Sequence, residues 1–483
     1  MSWAQGNEEP HKPAVRASIG ARKRGNDRGA KGRRKMERKG TQMSEENLSA
    51  VTPAREPKQD KEALRARWNW VEHAVWTDPM LRTLETGIKG GKWYALIDKV
   101  YEPKNLQSAF WKVWRNAGSA GVDGQSVSSF EAREEQQLQK LAEELRTQSY
   151  QPAAVKRVWI PKPGSAEQRP LGIPAVRDRV VQTALRNVIE PIFERDFAAQ
   201  SYGFRPGRGA KDALRRVEGL LKDGYHWVVD ADIKGYFDSI PHQKLMEKVA
   251  IKISDGRVLK LIESYLKAGV LEADQGWEAT EKGTPQGGVV SPLLANIYLD
   301  GLDWRIAEAG HQMVRYADDF VILSRTEQEA QRALALVTEW MQGAELKLHP
   351  QKTKIVDATQ RDGFEFLGYH FERGQKWPRK KSEVKVREKL RARTRRTNGQ
   401  SLKSIIAGIN PILRGWFNYF QYSKLNALQA MDGWIRGRLR SILRKRTKRK
   451  GKAKGLNDHT RWPNRFFDEA GLFNLTAARV KGR

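Results

Sequence analysis

The chain has 483 residues and a formal net charge of +31, so it is long enough for two to four domains with real cores and its surface is suited to a polyanion. It has no cysteine, which excludes disulfide staples, a catalytic thiol and every zinc site that needs a thiolate ligand. There is no run of about eighteen apolar residues and no apolar N-terminal segment of the secretory kind, so no membrane partner is expected and the chain is placed in the cytoplasm.

Residues 1–60 are rich in Gly, Pro, Ser, Lys and Arg and nearly without apolar periodicity. Such a segment buries too little surface to offset its ordering entropy, so a flexible basic arm is expected. From Trp68 onward apolar residues recur at helical spacing: Trp70, Ala74, Leu81 and Leu84, then Trp93, Leu96 and Val100, then Leu106, Phe110, Val113 and Trp114. These predict core helices. A glycine-bearing loop over 118–124 leads to a helix over 131–148. The runs 155–160 and 169–173 read as the arms of a hairpin carrying Lys162 and Arg169 at its edge. A helix over 176–197, kinked at Pro191, comes next. After it come a basic loop over 201–209 that includes Arg205, and a helix over 210–222.

The run Trp227-Val228-Val229-Asp230-Ala231-Asp232-Ile233 predicts a strand. Its period of two puts Asp230 and Asp232 on one face, with Val229 and Ala231 on the other. Helices are expected over 241–250 and 256–268, a loop over 283–288, and a helix over 292–308 with Pro292 in its first turn. Residues 313–323 read as a β-hairpin with Asp318 and Asp319 at its tip, followed by a helix over 326–341 and a strand or hairpin arm over 364–371. Past Pro378, Lys and Arg interleave with Val384, Val386 and Leu390, and a helical region resumes at Leu402. Arg436, Arg440, Arg444 and Lys448 recur every four residues, which aligns them on one helix stripe whose purity of sign predicts phosphate contact.

Two adjacent carboxylates on a tight turn raise each other's pKa unless a cation lies between them. Alone, Asp318-Asp319 reads as a solvated turn; the rest of the chain changes that reading. Two-metal phosphoryl transfer needs acids that converge from separate elements, and Asp232 on a strand with Asp318 and Asp319 on a hairpin meets that need. Carboxylate oxygens favour hard ions, so the metal expected at all three is Mg²⁺. Gln286 in a loop, Lys162 and Arg169 as cations for a triphosphate, and Phe237 beside the strand end complete a nucleotidyl-transfer set.

The order of these blocks resembles the group II intron-encoded reverse transcriptase/maturase family. The resemblance rests on Arg169-Pro170-Leu171-Gly172-Ile173-Pro174, Tyr202-Gly203-Phe204-Arg205-Pro206, Asp230-Ala231-Asp232-Ile233-Lys234-Gly235-Tyr236-Phe237-Asp238, Thr284-Pro285-Gln286-Gly287-Gly288, Tyr316-Ala317-Asp318-Asp319 and Phe366-Leu367-Gly368-Tyr369. It extends to Asn410-Pro411-Ile412-Leu413-Arg414-Gly415-Trp416-Phe417, similar to the maturase signature, and covers residues 90–445.

The resemblance implies an α+β right-hand polymerase with fingers, an antiparallel-sheet palm and a helical thumb. The implied division is a basic arm over 1–60, N-terminal extension and fingers over 61–225, palm over 226–375, thumb or maturase domain over 376–450, and a short basic DNA-binding-like segment over 451–483. It implies cDNA synthesis from dNTPs on an RNA template, with structured intron RNA and a DNA primer or target as further partners. By the same resemblance Asp232 and Asp318 bind the metals with Asp319 as third acid, Phe237 lies under the ribose, and Gln286 contacts the nucleotide sugar. Lys162 and Arg169 hold the triphosphate, and Lys352 neutralises or protonates the leaving pyrophosphate. Leu367-Gly368-Tyr369 would be the primer grip, Arg205 would touch nucleic acid, and Gly121-Val122-Asp123-Gly124 would lie where an N-terminal extension meets template. Asp230 and Asp238 read as mainly structural.

Many relatives end in an endonuclease with clustered Cys or His, whereas only His459 follows the basic helix here, so second-strand cleavage is not expected of this chain. Two other readings are a splicing factor without polymerase activity and a domesticated or defence-associated reverse transcriptase without an intron. The intact acids with Gln286 argue against the first, and the Gly415-Trp416-Phe417 block against the second.

Overall fold

The computed structural model describes residues 58–88, 90–161, 168–272, 276–448 and 456–481. The arm expected over 1–60 lies outside them up to residue 57, and Lys162 also lies outside. In chain order the strands are β1 (Val155–Pro161), β2 (Gln168–Ile173), β3 (Trp227–Asp232), β4 (Val270–Glu272), β5 (Gly276–Glu278), β6 (Gln312–Tyr316), β7 (Asp319–Ser324), β8 (Lys354–Asp357), β9 (Phe364–Phe366), β10 (Tyr369–Glu372) and β11 (Gln375–Pro378).

They form three sheets. The palm sheet has the order β6-β7-β3-β8, and every neighbour is antiparallel. The fingers sheet has the order β2-β1-β4-β5, with β1 antiparallel to β2 and parallel to β4. A third, β11-β10-β9, follows the palm. β3 is covered on both faces. Val229 and Ala231 join the main core with the helices Val176–Glu194, Ser291–Glu308 and Glu327–Gly343. Val228, Val321 and Leu323 face a second cluster that holds Phe364, Phe366, Tyr369, Phe371 and Phe420. The strand face that ends in Asp230 and Asp232 therefore begins as packed core and turns polar toward its end.

Helix boundaries follow the apolar periodicity with local adjustments. The helix expected over 131–148 is divided into Val127–Glu131 and Glu134–Arg146, interrupted at Arg133 with φ −134°. The helix Val176–Glu194 runs through Pro191, whose ring cannot donate to the carbonyl of Asn187 four residues earlier. The Trp76 indole N–H donates to that carbonyl instead, at 3.0 Å. The arm expected over 364–371 is the β9–β10 hairpin, turning on Leu367 and Gly368 with φ 46° and 84°.

The thumb comprises the helices Lys380–Arg393, Leu402–Phe420 and Leu425–Arg446. Three short helices, Leu456–Arg461, Asn464–Glu469 and Leu475–Lys481, pack on them through Trp462, Phe467 and Leu475 against Ile409, Leu413, Ile435 and Leu439. The Asp432 carboxylate accepts from the Leu475 and Thr476 N–H groups at 3.1 and 2.9 Å. The separate segment expected beyond residue 450 is thus, over the described residues 456–481, part of the thumb core.

The basic stripe is corrected for the same reason. Arg440 is 2% exposed; its Nε donates to Trp462 O at 2.9 Å and its Nη2 to Asn464 Oδ1 at 2.7 Å. Arg436 is buried against Asp468 at 3.3 Å, and Arg444 pairs with Asp458 at 2.5 Å. Spacing by four puts residues on one face but does not say what covers it, and here the C-terminal helices do. Lys448, past the helix end, is exposed. No helix among the described residues is long and apolar enough to cross a membrane.

Arg440→Gln is expected to destabilise the chain by about 2 to 4 kcal/mol, since charged hydrogen bonds and buried partners are lost together. Urea unfolding measures this, and the slope of log RNA affinity against log salt should stay at its wild-type value.

Candidate active site

The acidic hairpin turns on two residues. Tyr316 pairs with Asp319 in register, leaving Ala317 and Asp318 as the loop, and Ala317 takes φ 60°. Left-handed backbone costs a residue with a Cβ about 1 kcal/mol or more, so the surroundings must hold it. Arg315, 1% exposed, does so. Its Nε and Nη2 donate to the Asp303 carboxylate at 2.7 and 2.5 Å. Its Nη1 donates to Asn296 Oδ1 at 3.0 Å and to Ala317 O at 2.9 Å, and Nη2 also to Ser201 Oγ at 2.8 Å. Every N–H of the guanidinium is used.

The segment before Arg205 lies on this tip. Tyr202 N donates to Arg315 O at 2.9 Å and Asn296 Nδ2 to Gly203 O at 2.8 Å. A Cβ on Gly203 would come within 2.3 Å of Ala317 N, so only glycine fits there. Arg205, expected to touch nucleic acid, is instead buried: its guanidinium binds Glu194 at 2.8 to 3.0 Å and the carbonyls of Ala198 and Ser201 at 2.6 and 3.0 Å. Its charge is spent on shaping the loop. Sequence reasoning also passed over Arg315, Asp303 and Asn296. The signal was there: a lone cation in an apolar strand, and an acid amid Leu299, Leu302 and Ile306.

The three acids meet at the strand ends. Asp232 stands opposite Asp319 in the β3–β7 register, with Asp318 at the turn beside them. Burial pushes the Asp319 carboxyl up to about 8, and Asp318, Asp230 and Asp232 add to the shift. Asp318 is also raised, by burial first and by Asp232, while Arg169 draws it down. Lys352 Nζ lies 2.5 Å from Asp232 Oδ2. Asp230, raised by burial to about 6, lies opposite Lys354 in register.

Around them stand the remaining candidates. Phe237 follows the buried Tyr236, whose hydroxyl donates to Ala295 O at 2.6 Å. The Phe204 ring lies 6.4 Å from Phe237 and 6.5 Å from Tyr316, linking the aromatic to the acidic hairpin. Gln286 accepts from Gly172 N on β2 through its carbonyl at 2.6 Å, and its Nε2 donates to Asp238 Oδ2 at 3.2 Å. Arg169 is half-buried on β2 opposite Ile160.

The Leu367-Gly368 turn is pinned by the thumb: Tyr419 Oη donates to Leu367 O at 2.7 Å, and Arg379 N to Gly368 O at 3.0 Å. Tyr369, expected as part of the primer grip, is 1% exposed and donates to Tyr419 O at 2.7 Å, so its side chain is core. Leu367 and Gly368 stay half-exposed.

Among the described residues no three acids or histidines form a ready-made metal cage. The donor set still fits a hard divalent cation. All of its side chains are carboxylates, burial crowds their charge, and the other ligands in such sites come from phosphate and water. Asp232, Asp318 and Asp319 are the residues that would hold the ions.

Replacing Arg315 by Met leaves Asp303 charged, buried and unpaired, which should cost about 3 to 5 kcal/mol. Denaturant unfolding checks the cost. Loss of primer extension at temperatures where the variant remains folded checks that the acids moved.

Comparison with known proteins agrees with this geometry. The family model for reverse transcriptase (RNA-dependent DNA polymerase) matches residues 160–371, and that for the group II intron maturase-specific domain matches residues 384–462. YkfC of Escherichia coli strain K12 is 36% identical over 297 residues, covering 53% of this chain and 76% of that protein. The group II intron-encoded protein LtrA of Lactococcus lactis subsp. cremoris is 40% identical over 197 residues, 40% of this chain and 32% of LtrA. An uncharacterized 91 kDa protein in the cob intron of Schizosaccharomyces pombe is 43% identical over 166 residues, 34% of this chain and 20% of that protein. The match thus spans three quarters of one relative and a third or less of the other two. With fingers, palm acids and a maturase domain in this order, the chain belongs to the group II intron reverse transcriptase/maturase family.

Proposed function

We propose that this reverse transcriptase extends a DNA primer on an RNA template from dNTPs with Mg²⁺, and that its thumb also holds structured intron RNA to assist splicing and retrotransposition. The observation that carries the reading is the register of Asp232 against Asp319, with Asp318 fixed at the turn by Arg315. Reverse transcriptases are generally metal-dependent. When bound at these acids, Mg²⁺ would neutralise phosphate charge and polarise the primer 3′-oxygen.

The chain's own residues supply the rest. Arg169, which reaches Asp318 electrostatically, and Lys162, which follows β1 in the sequence, hold the triphosphate. Phe237 carries the ribose and blocks a 2′-hydroxyl by steric clash, and Gln286 contacts the sugar. Lys352, 2.5 Å from Asp232, neutralises or protonates the departing pyrophosphate. The half-exposed Leu367-Gly368 turn holds the primer end, and Lys448 meets phosphate. We assign the N-terminal extension and fingers to residues 61–225, the palm to 226–375, and the thumb to 376–481, in the setting of the cytoplasm. The maturase-specific match at 384–462 supports intron RNA as the thumb's partner.

Primer extension on an RNA template should fall at least about a hundredfold in Asp318→Asn, the scale expected when a group that stabilises the transition state electrostatically is removed. Equal extension by variant and wild type would overturn the assignment.

Phe237→Ala should raise incorporation of rNTPs relative to dNTPs while leaving dNTP extension measurable. Competition between the two nucleotide types reads the ratio directly; an unchanged ratio places the gate elsewhere.

A further inference from the structure

We infer that Asp238 is a positioning residue for Gln286, fixing which end of its carboxamide meets the incoming nucleotide. The inference rests on the polymerase reading above and deepens it. A carboxamide has a donor end and an acceptor end of nearly equal shape, so its orientation is set by its neighbours. Asp238 ends the acid-bearing block on the short helix Tyr236–Ser239, while Gln286 lies in the glycine-rich loop 48 positions later. Gln286 Nε2 donates to Asp238 Oδ2 at 3.2 Å. An ionised carboxylate only accepts, so it holds the amino end and leaves Oε1 as the end free to accept.

The backbone on both sides is fixed well enough for this contact to matter. Gly172 N donates to the Gln286 carbonyl at 2.6 Å, and a Cβ on Gly287 would come within 2.2 Å of Gly172 O. On the palm side Thr284 N donates to Phe237 O at 2.7 Å, Gly283 N to Ile240 O at 2.8 Å, and a Cβ on Gly283 would lie 2.8 Å from Asp238 Cα. The loop is therefore clamped to fingers and palm at once. Without Asp238, what remains free is the rotation of the Gln286 side chain.

Asp238 and Gln286 both line a cavity of about 350 Å³ between the fingers strands and the 279–286 loop. Thr284 also lines it; its hydroxyl is buried and without a hydrogen-bond partner in the structure. A sugar hydroxyl entering this cavity would meet an acceptor at Gln286 Oε1. The Gln286–Asp238 bond is weak while water reaches it and strengthens when a bound nucleotide excludes water. The device thus favours ligands with a hydroxyl to donate, namely a 3′-hydroxyl over a 2′,3′-dideoxy sugar.

The test compares dTTP with ddTTP in primer extension by the full chain. Asp238→Asn keeps the shape but lets either end of Gln286 pair. It should raise KM for dTTP roughly five- to tenfold, the scale of one hydrogen bond, leave kcat close to wild type, and narrow the dTTP over ddTTP preference by a similar factor. In a Gln286→Ala background the same substitution should change neither. A merely structural Asp238 predicts otherwise: dTTP and ddTTP would shift together, and the effect would persist without Gln286. Either outcome overturns the positioning role. Should Asp238→Asn lower the unfolding midpoint, Asp238→Ser provides the same comparison. Absence of extension by wild type would overturn the polymerase reading and this inference with it, whereas an active wild type with Asp238 uncoupled from Gln286 overturns only the latter.

Discussion

The structure depends on a buried guanidinium. Arg315 and Asp303 are both almost fully removed from water, a situation that costs several kcal/mol per ion unless geometry is excellent and every donor is used. Here it is. The pair joins β6 to the helix Ser291–Glu308, and the remaining donors reach Ser201, Asn296 and the carbonyl of Ala317. One side chain therefore fixes a strand, a helix, a loop and a turn that no single element could hold. Asp318 lies in that turn and Asp319 follows it directly, so the acids are placed by an interior network and not by a mobile surface loop.

The position so fixed is electrostatically unfavourable for its own acids. Asp319 is held up to about 8 and Asp230 to about 6, chiefly because burial disfavours their charged forms. The cations at hand are few: Lys352 on Asp232, Lys354 opposite Asp230, and Arg379 and Arg169 at longer range. A divalent ion bound there would relieve this by favouring the ionised form of each acid.

Palm and thumb share this economy of contact. The cluster that covers the acid-bearing face of β3 is completed by Phe420, with Trp416 and Tyr419 packed against it. Tyr369 Oη donates to Tyr419 O, and Tyr419 Oη in turn donates to Leu367 O in the adjoining turn. The maturase-like helix Leu402–Phe420 thus packs directly on the hairpin next to the acids.

Period-two alternation in β3, a hairpin bearing Asp318 and Asp319 and the capped or Pro-led helices are local properties, written in residues a few positions apart, and for that reason they were legible in the sequence; the turn itself falls one residue earlier than expected, on Ala317 and Asp318. So was the motif order that marks the family. Tertiary structure decided whatever depends on residues far apart in the chain. Arg205 lies in a basic loop, and the approach of Glu194 and the carbonyls of Ala198 and Ser201 makes it structural; Tyr369 sits in a motif block, and its packing with Phe420 and hydrogen bond to Tyr419 make it core. The stripe Arg436, Arg440 and Arg444 has the spacing of a phosphate-binding face, yet the C-terminal helices cover it with Asp468, Asn464 and Asp458. Helical spacing carries no information about which neighbour arrives on a face. The chain's residue order by itself determined which chemistry is available, and the fold decided which of its many cations are spent inside the protein and which acids are brought face to face.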